Sequence, residues 1–262
     1  MIIPLEIIAA GRTDTGRVRE CNEDAYALDH ARHLYLVADG MGGHQAGDVA
    51  SRLLVEELPR HFTPPFDDDV GAVLKRAVAA ANAALFETAR AQENRRGMGS
   101  TLVALYATPQ QATLAHVGDS RAYLIRGERI SQLTEDHSLV NAQLHAGLLT
   151  PEQAAASPNR NVITRAVGTH RQVEADVTTF TPEPMDRVLL CTDGLSNLVE
   201  PAQIWEIVTR AVTLGIGVRR LIEAANRAGG NDNITAVLVQ FVPRPRRFLH
   251  KLYWFFSRQV AQ

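Results

Sequence analysis

The feature that most constrains the fold of this chain is a strand-length apolar run that ends on an aspartate beside a glycine. "LYLVADG" (34–40) and "LLCTDG" (189–194) end in this way, and "LAHVGD" (114–119) ends on the same two residues in reverse order. Apolar runs of this length, rich in Val, Leu and Tyr and bounded by Gly or Asp, are typical of β-strands. The pattern therefore predicts several strands whose ends carry carboxylates.

Other segments predict further strands and a set of helices. Strand-length runs also cover 101–107, 122–127 and 234–241. The apolar N-terminus (1–14) is typical of a first strand. Apolar residues at helical spacing cover 46–58, 70–85, 201–212 and 218–228. Because strands and helices occur in groups and do not alternate strictly, the sequence indicates a layered α+β domain.

Two connections have a distinctive sequence. The stretch "ATLAHVGDSRAYLIRG" (112–127) holds two strand-length runs around "GDSR". A parallel return needs a crossover of about a dozen residues or more, so we predict an antiparallel hairpin here. The segment 137–170 contains "TPEQAAASPNRNV" and mixes short helical pieces with irregular sequence. It predicts an insertion over one edge of the domain.

Length and charge exclude some classes of protein. A chain of 262 residues that is 45% hydrophobic can bury one sizeable core. The net charge is -2, but residues 244–262 hold five basic residues and no acid, which leaves 22 Lys and Arg against 29 Asp and Glu, about -7, in the body. An acidic body without a basic stripe argues against nucleic acid as a partner.

The cysteines and the apolar stretches indicate the compartment. Cys21 and Cys191 lie far apart and outside any CxxC motif, which is typical of reduced thiols in a cytosolic protein. No apolar stretch approaches the roughly 20 residues that span a bilayer. The N-terminus has no basic leader, unlike a signal peptide. We therefore expect a cytoplasmic protein.

Acidic residues recur near strand ends in a way that predicts a cation site. Asp39, Asp119 and Asp193 end strand runs, Asp232 precedes the strand at 234, and Glu23–Asp24 precedes "AYALD". Carboxylates crowded at one rim repel one another unless a counter-charge is present. All-oxygen ligands select hard cations, Mg²⁺, Mn²⁺ or Ca²⁺, over zinc. The glycines after Asp39 and Asp193 allow a backbone carbonyl to turn in as a further ligand.

Two other kinds of site match the sequence less well. "GMGGHQAG" (40–47) lacks the third glycine of a dinucleotide fingerprint and the Lys-Ser/Thr ending of a Walker A loop. "GDSRA" (118–122) nearly matches the nucleophile elbow of serine esterases, with Ser120 as the nucleophile. A strand follows it where the elbow requires a helix, so an esterase is the weaker alternative. His116, inside a strand run, is more typical of a core histidine than of a ligand.

Eight stretches taken together resemble one protein family. They are "GRVRECNEDAY", "VADGMGGHQAG", "GMGSTLVAL", "HVGDSRAYLIR", "LTEDHSLV", "ITRAVG", "LLCTDGLSN" and "GGNDNITAVLV". In this order they resemble the bacterial branch of the metal-dependent Ser/Thr protein phosphatases, the PPM or type 2C family. The resemblance implies an αββα sandwich, in which helices flank two antiparallel β-sheets and the metal site lies at one end. We place the catalytic domain at residues 1–243 and a separate tail at 244–262.

Positions matched to the family's motifs imply the role of each metal ligand. Asp39 resembles the carboxylate that bridges two metals, and Gly40 resembles the residue that supplies a carbonyl ligand. Asp193 and Asp232 resemble the acids that bind one metal and orient its waters. Glu23 resembles a ligand that acts through water. The implied cofactors are two Mn²⁺ or Mg²⁺ ions.

Four further positions complete the implied site. Asp119 resembles an acid that binds a third, weaker metal in bacterial members. Arg19 resembles the arginine that binds the substrate phosphate, and its planar guanidinium suits two phosphate oxygens at once. Asp24 and Asn233 resemble supporting residues. The resemblance thus implies that Arg19 acts in catalysis together with the ligands Asp39 and Asp193.

The implied reaction is hydrolysis of phosphoserine and phosphothreonine by a bridging water that two metals activate. Met41 follows the Asp-Gly pair where many eukaryotic members have His, so the general acid stays unassigned. His44, close in sequence, is a weak candidate. The expected partners are phosphorylated proteins and a cognate Ser/Thr kinase, and we expect a monomer.

Two questions stay open at the level of sequence. A non-catalytic signalling module of the same fold is the alternative function, although such a module would be expected to lose some of the acids. The tail mixes five basic residues with aromatic ones: Arg244, Arg246, Arg247, Lys251 and Arg258 beside Phe248, Trp254, Phe255 and Phe256. That mixture is typical of docking on an inner membrane face or a partner protein, and equally of a final helix packed on the body.

Overall fold

The computed structural model describes residues 4–42, 46–66, 69–159 and 161–244. The predicted tail therefore lies outside the described residues, apart from Arg244, and so does His44. Within the described ranges no helix is both long and apolar enough to cross a membrane. Cys21 and Cys191 are both free thiols, the first exposed and the second buried.

Two antiparallel sheets form the centre of the fold. The five-stranded sheet has the order β1 (Leu5–Asp14), β11 (Ile234–Pro243), β10 (Arg187–Cys191), β7 (Arg121–Arg126) and β8 (Arg129–Gln132). The other sheet has the order β2 (Asp24–Asp29), β3 (Leu34–Met41), β5 (Leu102–Ala107), β6 (Ala112–Val117) and β9 (Asp176–Phe180), with β4 (Gly99–Ser100) paired to β3. The strand runs predicted from the sequence are confirmed.

Helices cover the outer face of each sheet. They are α1 (Ala46–Arg60) and α2 (Val70–Ala91) on the six-stranded sheet, and α6 (Pro201–Thr209) and α7 (Leu214–Arg227) on the five-stranded sheet. The N-cap of α2 is Asp69, whose carboxylate accepts a hydrogen bond from the Ala72 N–H at 2.9 Å. All four helices lie where the helical spacing predicts them.

The alternation of side chains along β3 explains why the layers stack. Tyr35 and Val37 point into the core between the two sheets. Leu34, Leu36 and Ala38 point the other way and pack against α1 and α2. Because successive side chains of a strand face opposite sides, a strand that is apolar on both sides needs a layer on each. The αββα sandwich is therefore confirmed.

The hairpin predicted around "GDSR" is wrong. β6 belongs to the six-stranded sheet and β7 to the five-stranded sheet, so the short connection between them crosses from one sheet to the other. Gly118 makes this change of direction with a φ of +104°, in the region that favours glycine. The hairpins join β2 to β3, β5 to β6 and β7 to β8.

The irregular segment 137–170 forms an insertion that carries two short helices, α3 (Leu139–His145) and α4 (Pro151–Ala155). Both begin at a side-chain cap: Ser138 accepts from the Asn141 N–H, and Thr150 forms a capping box with Gln153. A bridge between Ser138 and Ile163 closes the insertion at its base. The predicted insertion is confirmed.

Candidate metal centre

Four aspartates from distant parts of the chain converge where the two sheets meet. Asp39 lies in β3, Asp119 follows β6, Asp193 begins the one-turn helix α5 (Asp193–Ser196) after β10, and Asp232 precedes β11. The four carboxyl groups lie close enough together that, beyond the effect of burial, the charges of Asp193, Asp119 and Asp232 all raise the pKa of Asp39. Asp24, paired with Asp39 in the β2–β3 register, adds a fifth acid.

Burial and mutual repulsion make these carboxyl groups hard to ionise. Burial raises the pKa of Asp39 well above its usual range, and the charges of Asp24, Asp193, Asp119 and Asp232 raise it further. Burial and then Asp232 raise the pKa of Asp193 to about 6. Burial and then Asp193 raise the pKa of Asp119 to about 7. Positive charge placed among these groups would offset both effects.

The oxygens of the cluster fit hard cations. Glu23 Oε1, Asp24 Oδ1, Asp119 Oδ1 and Asp193 Oδ1 are buried, and none of them has a hydrogen-bond partner among the described residues. Buried acceptors without a donor are costly. A set made only of carboxylate oxygens suits Mg²⁺ or Mn²⁺ better than zinc. The donor set therefore fits the cations that the sequence implies.

Two glycines allow the backbone to approach closely at the cluster. A Cβ on Gly40 would lie 1.9 Å from the carbonyl oxygen of Gly47 and 2.7 Å from that of Glu23. A Cβ on Gly194 would lie 2.0 Å from the carbonyl oxygen of Asn233. No side chain fits at either place, so the glycines after Asp39 and Asp193 are needed for this packing.

Asp24 joins the two sheets behind the cluster. Its Oδ2 accepts hydrogen bonds from the hydroxyls of Thr192 at 2.8 Å and Thr235 at 2.7 Å, which lie at the ends of β10 and β11. Burial raises the pKa of Asp24 to about 7, although the two hydroxyls lower it. A buried acid that is bonded from the opposite sheet fixes how the sheets meet, as the predicted supporting role requires.

Asn233 holds the loop that carries Glu23 and Arg19. Its Oδ1 accepts from the Glu23 N–H at 2.8 Å, and its Nδ2 donates to the carbonyls of Thr15 and Cys21, both at 2.9 Å. The side chain is buried. Asn233 thus fastens both ends of this loop to the start of β11.

Arg19 lies at the open side of the cluster. Its Nη2 donates to Asp232 Oδ2 at 2.8 Å, and its side chain is 49% exposed. Burial lowers the pKa of the guanidinium, but the hydrogen bond and charge of Asp232 raise it more. Nη1 and Nε make no hydrogen bond to a described residue, so this guanidinium keeps donors available to an anion.

Ser120 is part of the support of the cluster. Its Oγ lies 2.7 Å from Thr101 Oγ1, and Thr101 Oγ1 accepts from the Asp39 N–H at 3.0 Å. Ser120 is 1% exposed and has no histidine as a hydrogen-bond partner in the described structure. A buried serine without a base cannot serve as an esterase nucleophile, so the esterase alternative is not supported.

Asn197 contacts the cluster and His137 contacts Gly118, the residue before Asp119, and sequence reasoning missed both contacts. Asn197 Nδ2 donates to Asp193 Oδ2 at 3.1 Å, and the four-residue spacing in "DGLSN" was a signal for this contact. His137 bonds Gly118 twice. Its ring Nδ1 accepts from the Gly118 N–H at 3.0 Å, and its backbone N–H donates to the Gly118 carbonyl at 2.9 Å. No local pattern indicates that second contact.

A second group of possible ligands, His116, His137 and Asp176, lies apart from the carboxylate cluster. The two imidazole rings stack at 4.7 Å and 17°, so their in-plane lone pairs do not converge on one point. The Arg165 guanidinium already lies 2.6 Å from Asp176 Oδ1 and 3.1 Å from His137 Nε2. This group joins the insertion to β9 and β6, and His116 Nε2 bonds the Glu135 carbonyl at 2.8 Å, as a core histidine does.

Comparison with known proteins finds relatives along most of the chain. The family model described as Protein phosphatase 2C matches residues 14–226. Protein phosphatase PhpP of Streptococcus pneumoniae is 41% identical over 233 residues, which are 87% of this chain and 94% of that protein.

Solved structures show the same likeness. The Mycobacterium tuberculosis serine/threonine phosphatase PstP/Ppp superposes with a TM-score of 0.84 at 37% identity, over 91% of this chain and 99% of that one. A structure of the PstP catalytic domain in complex with two manganese ions gives a TM-score of 0.82 at 37% identity, over the same shares of the two chains. The eight motifs, the αββα sandwich and these matches together place the chain in the protein phosphatase 2C family.

Proposed function

We propose that the metal-dependent protein serine/threonine phosphatase activity of this chain is carried by the carboxylate cluster around Asp39. One observation carries the proposal: buried carboxylate oxygens without partners converge beside an arginine that has free donors. The first feature suits divalent cations, and the second suits a phosphate group. A phosphomonoester bound between them lies where both can act on it.

The residues that would hold two Mn²⁺ or Mg²⁺ ions are Asp39, Asp193, Asp232 and Glu23, together with the carbonyl of Gly40. When bound, such ions lower the pKa of a water and offset the negative charge of the phosphate. Asp119 would hold a third, weaker ion on the side of the cluster next to the insertion. The manganese complex of the PstP catalytic domain supports the choice of cation.

The other residues act on the substrate or on the ligands. Arg19 binds two phosphate oxygens and is oriented by its hydrogen bond to Asp232. Asn197 and Asp24 hold Asp193 and Asp39 in place, through a hydrogen bond and through the joined sheets. Met41, next to Gly40, has no group that transfers a proton and so does not act as the general acid; the donor proposed for the leaving oxygen is water.

The expected partners follow from this activity. A Ser/Thr kinase that phosphorylates the same proteins is the expected counterpart, because a phosphatase needs a supply of phosphorylated substrate. A monomer suffices, since every proposed site residue comes from one chain. The tail, residues 244–262, would attach the enzyme to an anionic membrane surface through its basic and aromatic residues.

The test is release of phosphate from a phosphothreonine peptide in the presence of Mn²⁺. Asp39→Asn and Asp193→Asn each remove one charge without changing shape. We expect losses of more than about a hundredfold, since even outer-shell changes at metal sites cost 10–100-fold. Glu56→Gln, at an exposed position of α1, is the control and should keep the activity, whereas Ser120→Ala, which loses a hydrogen bond behind Asp39 but no proposed ligand, should lose far less activity than either aspartate variant. Turnover that persists in a chelator, or in both aspartate variants, would contradict the proposal.

A further inference from the structure

A groove leads away from the carboxylate cluster between the insertion and the α5–α6 segment. Its volume is about 610 Å³, and Asp119 and Asp193 of the cluster are among the residues that line it. Val140 and Leu144 of α3 also line it, and so does Glu200 at the start of α6. Arg19 lies beside Asp232, whereas the groove opens beside Asp119 and Asp193. The groove therefore borders the place proposed for the phosphate.

The charges along this groove are mostly neutralised within the protein. Arg121 donates hydrogen bonds from two nitrogens to the carboxylate of Asp136: Nε donates to Oδ1 at 3.0 Å, and Nη2 donates to Oδ2 at 2.6 Å. Asp119 and Asp193 face the proposed cations. Among the described residues that line the groove, Arg121 is the single cation.

Glu200 is the charge that stays without a partner. It is exposed, it makes no ion pair with a described residue, and its side chain does not cap α6 although it occupies the N-cap position. Pro201 follows it at the first helical position. A carboxylate beside a helix N-terminus is favoured by the helix dipole, so stability has to be measured separately from recognition.

We propose that this groove binds the segment of the substrate next to the phosphoserine or phosphothreonine, and that Glu200 selects a lysine or arginine in it. The proposal rests on the proposed function, since it places the phosphate at the carboxylate cluster. The walls are apolar at Val140 and Leu144 and accept the aliphatic part of a long basic side chain. The charged end of that side chain then reaches the Glu200 carboxylate.

The experiment measures kcat/KM at low salt with a set of phosphothreonine peptides that are neutral around the phosphothreonine. Each peptide carries one arginine, at a position from three residues before to three residues after it. With the unaltered protein, arginine at one or two positions should raise kcat/KM by about two- to fivefold, the scale of an exposed ion pair. Glu200→Gln should remove this gain, and Glu200→Lys should favour a glutamate at the same position.

Two controls separate recognition from a structural effect. Glu56 of α1 is exposed and lies on the other sheet, so Glu56→Gln should leave the preference unchanged. Hydrolysis of p-nitrophenyl phosphate, which has no flanking residues, should be the same in Glu200→Gln and in the unaltered protein. Thermal unfolding of each variant reports any loss of helix stability.

The outcomes are distinct. A preference for arginine that persists in Glu200→Gln, or the absence of any preference in the unaltered protein, overturns the role of Glu200 and leaves the proposed function intact. An equal loss on p-nitrophenyl phosphate and on every peptide also overturns it, because the effect is then structural. Absence of Mn²⁺-dependent turnover on all substrates overturns the proposed function and this inference together.

Discussion

Replacing Asp119 with asparagine should stabilise the protein in the presence of a chelator. Burial, followed by the charge of Asp193, raises the pKa of Asp119 from the usual 3.8 to about 7. At pH 8 the folded protein must keep this carboxylate ionised in an environment that disfavours the charge. Asp119→Asn has nearly the same shape and no charge, so it removes that cost.

The size of the effect follows from the shift. A rise of about three pKa units corresponds to about 4 kcal/mol at 1.36 kcal/mol per unit. The gain is nearly absent below pH 4, where the carboxyl group is protonated in the folded and the unfolded chain alike. It grows between pH 4 and 7, because the unfolded chain releases the proton first, and it is complete above pH 7. For a chain of this size, 4 kcal/mol raises the Tm by about 5–10 °C.

The assay is thermal unfolding of both proteins in EDTA at pH 8 and pH 4.5, where about 1 kcal/mol of the gain should remain. Asp29→Asn is the matched control, and its expected change in Tm has the opposite sign. Burial raises the pKa of Asp29, but hydrogen bonds from Arg32 outweigh it and the net pKa is lowered, so this change should lower the Tm at pH 8. If Asp119→Asn is no more stable than the unaltered protein at pH 8 in EDTA, the electrostatic reading of the cluster is refuted.

Three further predictions concern other parts of the molecule. Arg19→Lys should lower kcat/KM on phosphopeptides by about tenfold, because a lysine cannot bind two phosphate oxygens in one plane; unchanged kinetics and unchanged inhibition by phosphate would contradict this. His137→Leu, which loses the acceptor for the Gly118 N–H, should require more Mn²⁺ for half-maximal activity, whereas His137→Asn keeps an acceptor and should require less than His137→Leu. A chain ending at Val242 should sediment less with anionic vesicles than the full chain; equal binding by both would remove the membrane role of the tail.

The parts of the site that sequence predicted share a local signal. The strands that lead to Asp39 and Asp193 are continuous apolar runs because they are buried on both sides. The glycines that follow these acids have no room for a Cβ, which would lie 1.9 Å or 2.0 Å from a backbone oxygen. Asp232 precedes another such run. These residues could be predicted because the apolar run, the acid and the glycine all lie within fewer than ten neighbouring positions.

The parts that sequence missed depend on contacts between distant segments. A three-residue connection between β6 and β7 looks like a hairpin, and only the burial of both strands in different sheets shows that it is a crossing. Arg19 and Asp232 lie 213 positions apart and meet at 2.8 Å. The contact between His137 and Gly118 depends on how the insertion folds back. No spacing rule encodes these three arrangements.

The position of the cluster between the two sheets has a consequence for the stability of the protein in a cell. Asp39 belongs to the six-stranded sheet, while Asp193 and Asp232 border strands of the five-stranded sheet. An ion bound by all three would therefore hold the two sheets together. Loss of that ion would leave carboxylates of like charge facing each other where the two sheets meet. Scarcity of metal should then reduce the amount of enzyme, through unfolding and proteolysis, as well as its turnover.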